Sequence, residues 1–174
     1  MVVQDELRAL IRDIPDFPAP GILFRDITPL LNDARAFNQA LDWFASLPAA
    51  GAATAIVGVE SRGFIFGAPL AVRLNVGFVP VRKAGKLPHA AHAQEYALEY
   101  GANTLEIHQD ALTSSDAVLV VDDLLATGGT AQAAARLVRM TGAEMCGAAF
   151  LVELGGLKGR ALLPDCSVDA LIRY

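Results

Sequence analysis

The chain has 174 residues, of which 53% are hydrophobic and 19% are charged, and its formal net charge is -5 at pH 7. This length and apolar content predict a single globular domain, residues 1–174, with a substantial buried core. The acidic balance argues against a protein that coats nucleic acid, because binding to a phosphate backbone requires a basic face.

Neither the cysteines nor the apolar segments indicate an exported or membrane protein. Cys146 and Cys166 do not have the spacing of zinc ligands or of a disulfide framework. The N-terminal MVVQDELRALIRDI carries acidic residues where a signal peptide has a basic start and an unbroken apolar core. The Ala-rich run AAGAATAIVGV is too short and too weakly apolar to span a bilayer. A cytoplasmic protein is therefore expected.

Two helices are predicted at the start of the chain. The first is indicated by apolar residues at helical spacing, and the following DFPAPG ends it with two prolines and a glycine. The spaced residues are Leu7, Leu10, Ile11 and Ile14. The second helix is predicted from about Asp33 to Leu47.

Short β-rich runs follow, with helical stretches between them. The β-rich runs are TAIVGV, VGFVPV, AVLVV, AAFLVEL and VDALIRY, and the helical stretches are FGAPLAVRL and TAQAAARLVRMTG. Alternation of strand and helix implies parallel strands joined by right-handed crossovers. The sequence therefore predicts an α/β fold with an open, mostly parallel sheet and helices on both faces.

Three loops are predicted at the carboxyl ends of these strands, where open α/β sheets bind ligands. They read ESRGF after IVGV, RKAGKLPHAAHAQEYALEYG after FVPV, and DDLLATGGT after AVLVV. The first two carry basic residues, whereas the third begins with two carboxylates and continues into threonine and glycine. An anionic ligand in this acidic chain would be met by these local features.

The third loop has the composition of a ribose phosphate site. Its ATGGT segment can wrap backbone N–H groups and two threonine hydroxyls around a phosphate, at the positive end of the next helix. Asp122 and Asp123, just upstream, can accept hydrogen bonds from vicinal ribose hydroxyls. No lysine follows the glycines, so the loop is not a Walker A motif. On the residues alone, a solvated Asp-rich turn remains the alternative.

VLVVDDLLATGGTA resembles the phosphoribosyl pyrophosphate (PRPP) signature of the type I phosphoribosyltransferases, and VDDLLATGGT is similar to the form found in members that use adenine. Further segments resemble the same family in the same order, from about Asp16 to Arg160. They are DFPAPGILFRDITPLL, ESRGFIFGAPLA, VRKAGKLP, ALEYGANTLEIHQDAL and LVELGGLKGR. The resemblance implies a type I phosphoribosyltransferase-like fold with a small N-terminal hood, about residues 1–32, that contributes to base binding.

The resemblance also implies an activity. It indicates a glycosyltransferase of purine salvage that moves the 5-phosphoribosyl group from PRPP to adenine and yields AMP and pyrophosphate. Mg²⁺ is implied as cofactor, held mainly through the substrate rather than by a dedicated protein metal site. A homodimer is implied as well. Two alternatives stay open: transfer to a 6-oxopurine, and a PRPP-sensing regulator without turnover.

The resemblance assigns residues to the PRPP donor. The ribose hydroxyls are assigned to Asp122 and Asp123, and pyrophosphate to Glu60, Ser61 and Arg62, with a cis peptide expected between Glu60 and Ser61. The 5-phosphate is assigned to Ala126, Thr127, Gly128, Gly129 and Thr130. A lid over residues 82–101 would add the cations Arg82, Lys83 and Lys86.

The acceptor and the proton transfer are assigned in the same way. Leu23, Phe24, Arg25 and Leu154 are expected to bind adenine. Glu99 is the candidate acceptor for the proton that the base loses, and Arg62 is the other candidate catalytic residue. A carboxylate in this role is chemically reasonable, because the purine must lose a proton as it attacks the sugar.

Overall fold

The computed structural model describes residues 2–97 and 102–174. The chain divides into two compact units, Met1–Trp43 and Phe44–Tyr174. The expected single domain with a hood over about residues 1–32 stays a prediction. Within the described ranges, no helix has both the length and the apolar character needed to cross a bilayer.

The first unit combines helices with a two-stranded antiparallel ribbon. Its elements in chain order are α1 (Val2–Ala9), β1 (Arg12–Pro15), β2 (Leu23–Asp26), α2 (Thr28–Asn32) and the start of α3 (Ala34–Ser46). The second predicted helix is confirmed by α3. The first is wrong beyond Ala9, because Arg12–Pro15 pairs with β2, with Ile14 opposite Phe24. Pairing across the intervening turn thus overrides the local helical spacing.

The second unit is built on a mostly parallel sheet. Its elements are α4 (Pro48–Ala52), β3 (Ala55–Val59), α5 (Arg62–Leu74), β4 (Gly77–Lys83), β5 (Ala91–Ala97), β6 (Ala102–His108), β7 (Ala117–Leu125), α6 (Gly129–Met140), β8 (Glu144–Glu153) and β9 (Val168–Arg173). In the described part of the chain, the strand order is β5-β6-β4-β3-β7-β8-β9. Strands β4, β3, β7, β8 and β9 are parallel, and β6 pairs antiparallel with both β4 and β5.

Helices cover both faces of this sheet. On β3, Val57 and Val59 belong to the apolar core cluster that contains Leu137 of α6. The alternate residue Gly58 faces α5, where a Cβ placed on Gly67 would lie 3.5 Å from the Gly58 Cα. Because successive residues of a strand point to opposite faces, α5 and α6 lie on opposite sides. The predicted open α/β sheet is therefore confirmed.

Two strands occupy segments that the sequence predicted as loops. Strand β7 continues to Leu125, with Asp122 paired to Phe150 of β8, so the two carboxylates lie in the strand and not in a turn after it. Strand β5 occupies part of the predicted 82–101 loop, where it pairs with β6 along its length. In both cases pairing with a neighbouring strand decides the conformation, which local propensity indicates poorly.

Candidate active site

A cavity at the carboxyl ends of β3 and β7 gathers most of the predicted donor-binding residues. It has a volume of about 220 Å³. Its lining comprises Glu60, Ser61, Arg62, Tyr96 and every residue from Asp122 to Ala131. The structure thus brings the ESRGF segment and the DDLLATGGT segment to one cavity, as expected for the ends of adjacent parallel strands.

The two adjacent carboxylates are held differently. Asp123 is only 4% exposed, and its Oδ2 lies 3.1 Å from Nε of Arg62. The backbone N–H of Asp123 donates to Oδ1 of Asp122 at 2.9 Å. Arg62 is the first residue of α5, and this helix start lies close to β7, since a Cβ on Gly63 would be 2.7 Å from the Val121 carbonyl oxygen. A side chain at Gly63 would therefore push Arg62 away from the acidic pair.

Burial makes this acidic pair hard to ionise. Desolvation, with the nearby charge of Asp123, raises the pKa of Asp122 well above its ordinary value. Desolvation also raises the pKa of Asp123, although the Arg62 guanidinium opposes that rise. The protein therefore compensates the pair only in part, and hydrogen-bond donors on a ligand would complete the compensation.

The loop between β7 and α6 has the backbone geometry of an anion cradle. Gly128 has a φ of +88°, a left-handed conformation that favours glycine. Its carbonyl accepts the Gln132 N–H at 2.8 Å, at the start of α6, so the first N–H groups of the helix remain available to a ligand. This loop carries the five residues predicted to hold the 5-phosphate.

A second glycine, which the sequence reasoning missed, supports this loop from behind. A Cβ on Gly159 would lie 3.0 Å from the backbone nitrogen of Gly128 and would overlap the carbonyl oxygen of Ala126. Only glycine permits this approach of the two backbones. The LVELGGLKGR segment resembles the family, but the resemblance assigns a role there to Leu154 alone, so the sequence signal predicts no function for Gly159.

Glu60 gathers basic groups at the other side of the cavity. Its carboxylate accepts hydrogen bonds from Lys86 Nζ at 2.9 Å, from the Lys83 backbone N–H at 3.0 Å and from Arg82 Nε at 3.3 Å. The Lys86 hydrogen bond is the main cause that lowers the pKa of Glu60 to about 2; the Lys83 and Arg82 bonds add to it, and burial opposes them. The peptide bond between Glu60 and Ser61 is cis, as predicted.

The residues expected to bind the base lie in both units. Leu23, Phe24 and Arg25 are on β2 in the first unit, where the Phe24 ring meets Phe17 edge-on with centroids 5.1 Å apart. Arg25 donates a hydrogen bond to Asp13. Their contact with a base stays a prediction.

Leu154 directly follows β8 in the second unit. Its backbone N–H donates to the carbonyl oxygen of Leu125, a cavity residue, at 2.9 Å. Glu99, the candidate proton acceptor, lies outside the described residues.

Comparison with known proteins identifies the chain first by class. The phosphoribosyl transferase domain family matches residues 31–169, so the chain belongs to this family. Within it, the chain is similar to adenine phosphoribosyltransferases. That of Acaryochloris marina is 58% identical over 97% of this chain and 99% of the relative.

Solved structures agree with this grouping. The crystal structure of the adenine phosphoribosyltransferase from Thermoanaerobacter pseudethanolicus is 50% identical, covers 98% of this chain and 99% of its own, and has a TM-score of 0.95. The Saccharomyces cerevisiae enzyme, complexed with an imino-altritol bisphosphate and adenine, is 40% identical with a TM-score of 0.89, and coverage is 98% of both chains.

Proposed function

We propose that this chain transfers the 5-phosphoribosyl group from PRPP to adenine, giving AMP and pyrophosphate. The observation that carries the proposal is the single cavity lined by a carboxylate pair, an arginine and a glycine-threonine loop at a helix start. Support for adenine as the acceptor comes from the relatives, one of which is solved with adenine bound.

The donor is held at its phosphate and at its sugar. The backbone N–H groups of residues 126–130 take the 5-phosphate at the positive end of α6. The ribose hydroxyls donate to Asp122 and Asp123, which supplies hydrogen bonds to a carboxylate pair that the protein alone compensates only in part. The hydrogen bonds to the hydroxyls orient C1 of the sugar for attack.

Pyrophosphate departs on the side of Glu60 and Arg62. As the bond between C1 and the pyrophosphate oxygen breaks, its electron pair stays on the leaving group. Arg62 and the cations bound to Glu60, Arg82 and Lys86, stabilise that growing negative charge. Lys83 adds a further cation at the end of β4.

Mg²⁺ is proposed as the cofactor. In residues 2–97 and 102–174 no group of three His, Cys, Asp or Glu side chains could hold a metal ion. We propose that the ion is held mainly through oxygen atoms of the substrate, because Mg²⁺ prefers oxygen ligands, and not by a dedicated protein metal site. When bound, the ion neutralises charge on the pyrophosphate.

The acceptor forms the new bond through N9 as it loses a proton. The residues proposed to contact adenine are Phe24, by stacking, Leu154, by packing, and the backbone groups near Leu23 and Arg25. Glu99 accepts the proton. Hydrogen-bond acceptors in the site that pair with the 6-amino group of adenine would be left unpaired beside the 6-oxo group of another purine. The site would therefore select adenine over 6-oxopurines.

The test is a substrate panel. Steady-state turnover with PRPP should be fastest with adenine and much slower with hypoxanthine, guanine and xanthine. If adenine proves the poorest of the four, the acceptor assignment is wrong, and tight PRPP binding without turnover of any base would favour a PRPP-sensing regulator.

Cytoplasmic location and twofold assembly are also proposed. Closed twofold pairing is the commonest oligomeric arrangement, which supports a homodimer on general grounds. Light scattering on the purified protein should give twice the monomer mass of 18.3 kDa.

A further inference from the structure

Tyr96 lines the cavity, although the mechanism above gives it no role. It lies on β5, inside the segment that the sequence predicted as a mobile lid, and it is paired in register with Asn103 of β6. Its side chain is half-buried and packs against the apolar core cluster that includes Ala131 and Ala134 of α6. The ring is thus anchored in the sheet by β6 pairing and by packing on the core.

The position of Tyr96 places it with the phosphate-binding part of the cavity. Strand β5 packs beside α6, and the first turn of that helix supplies Thr130 and Ala131 to the lining of the same cavity. The Tyr96 hydroxyl makes no hydrogen bond to another described residue. A phenol hydroxyl in that state is available to a ligand as a donor.

The charge distribution of the lining explains what such a donor would add. The cations proposed for the site are Arg62, paired with Asp123, the Arg82 and Lys86 side chains bound to Glu60, and Lys83 at the end of β4. The stretch from Ala126 to Ala131 carries no charged side chain. A phosphate bound there depends on backbone N–H groups and neutral hydroxyls, so one more hydroxyl donor is a substantial addition.

We propose that Tyr96 is a further donor-binding residue, whose ring forms the cavity wall beside α6 and whose hydroxyl donates a hydrogen bond to the 5-phosphate. This inference rests on the proposed function, since it assumes a phosphoribosyl ligand in the cavity. Strand β5 would then contact the ligand from a fixed position in the sheet, whereas a lid is expected only to cover the bound ligand.

The test compares Tyr96→Phe with the wild-type protein. Isothermal titration calorimetry measures the dissociation constants of AMP and of ribose 5-phosphate, and steady-state assays measure KM for PRPP and for adenine. Loss of a hydrogen bond to a charged group should raise both dissociation constants and the KM for PRPP about tenfold or more. The KM for adenine should not change. Tyr174→Phe, the same chemical change outside the cavity, is the matched control.

The outcomes separate this proposal from the function on which it rests. Wild-type dissociation constants for AMP and ribose 5-phosphate in Tyr96→Phe overturn the proposal, even if Tyr96→Ala is impaired. A rise confined to the KM for adenine also overturns it, because it would place the hydroxyl at the base. Failure of the wild-type protein to convert adenine would instead refute the proposed function. Equal melting temperatures of the two proteins exclude unfolding as the cause of a loss.

Discussion

At the scale of single residues, the site contains two adjacent carboxylates and an arginine in close contact. The carboxylate of Asp123 is almost fully buried and has Arg62 as its cationic partner at 3.1 Å. Asp122, next to it, carries a raised pKa because its charge is desolvated and faces a second carboxylate. A like-charge pair with one buried and one half-buried carboxylate is costly for a fold, and such perturbed groups concentrate at functional sites.

The first prediction concerns Asp123→Asn. The variant removes the charge that pairs with Arg62 and that, in the proposed function, accepts a ribose hydroxyl, while it keeps the side-chain shape. We expect kcat/KM for PRPP to fall about tenfold to hundredfold, with the fold intact by circular dichroism. Asp110→Asn, at a side chain 72% exposed, is the control. Wild-type turnover of Asp123→Asn would rule out the ribose role.

The second prediction concerns Gly159, which packs against the loop between β7 and α6. Gly159→Ala places a methyl group against the Ala126 carbonyl and the Gly128 nitrogen, so the loop must shift. We expect KM for PRPP to rise about tenfold, since shifts of a fraction of an ångström in a positioned site are costly. Gly156→Ala is the matched control, because a Cβ there meets no atom within 4 Å. An unchanged KM in Gly159→Ala would mean that Gly159 does not shape the loop.

At the scale of elements, one carboxylate joins the end of β3 to the end of β4 and to the turn that follows. Glu60 follows β3, while Arg82 and Lys83 end β4 and Lys86 lies in the turn after it. Arg82 also donates to the Lys86 carbonyl oxygen at 3.1 Å, which links the strand to the turn directly. The network keeps two candidate pyrophosphate-binding cations at the edge of the cavity.

The third prediction follows from the pKa of Glu60. Because the pKa falls from 4.5 to about 2 on folding, the ionised carboxylate stabilises the fold above about pH 4.5, and this contribution is lost as the pH falls towards 2. Glu60→Gln should therefore lower the free energy of unfolding by about 1 to 3 kcal/mol at pH 7, with a smaller deficit near pH 3. Urea titrations at pH 7 and pH 3 measure the free energy of unfolding of both proteins. Glu144→Gln, at an exposed position, should show no such pH-dependent deficit; an equal deficit at pH 7 and pH 3 would contradict the assignment.

At the scale of the whole molecule, the two ionised carboxylates in the cavity, Asp122 and Asp123, lower the stability of the fold. Raised carboxyl pKa values mean that the folded state holds protons more tightly than the unfolded state does. The contribution of this pair to stability is therefore greatest below the ordinary pKa of 3.8 for the aspartate carboxyl and declines as the pH rises above it. In the proposed function this acidic pair binds the ribose, and the rest of the core must offset its cost to stability.

The fourth prediction tests this opposition with Asp122→Asn. The amide oxygen can still accept the Asp123 N–H, but the buried charge is gone. We expect the variant to be more stable than the wild type by about 1 kcal/mol at pH 7, with the gain lost near pH 4, and to be much less active. Thermal melts at both pH values and PRPP turnover measure these effects, with Asp165→Asn, at a side chain 73% exposed, as the control. A destabilised Asp122→Asn at pH 7 would contradict the prediction.

Much of the fold was predictable, because alternating apolar runs and helical stretches specify a parallel sheet by themselves. The segment AVLVVDD was more ambiguous: its apolar run ends at Val121, yet the strand continues to Leu125 through pairing with β8. Residues 91–97 have no strong strand pattern and become a strand only because β6 lies beside them. Residues Arg12–Pro15 also become a strand only through pairing, because their partner strand β2 lies beyond the turn in the chain.

The sequence by itself determined the chemistry of the site: a carboxylate pair, a glycine-threonine loop at a helix start and a basic segment, each contained within a few adjacent residues. Only the tertiary structure decided how these parts support one another. Glu60 contacts Lys86, which lies 26 positions further along the chain, Gly159 contacts the loop between β7 and α6 from another segment, and Tyr96 lines the cavity from a strand. Contacts between distant segments depend on how strands and helices pack, and no local pattern of residues records that packing.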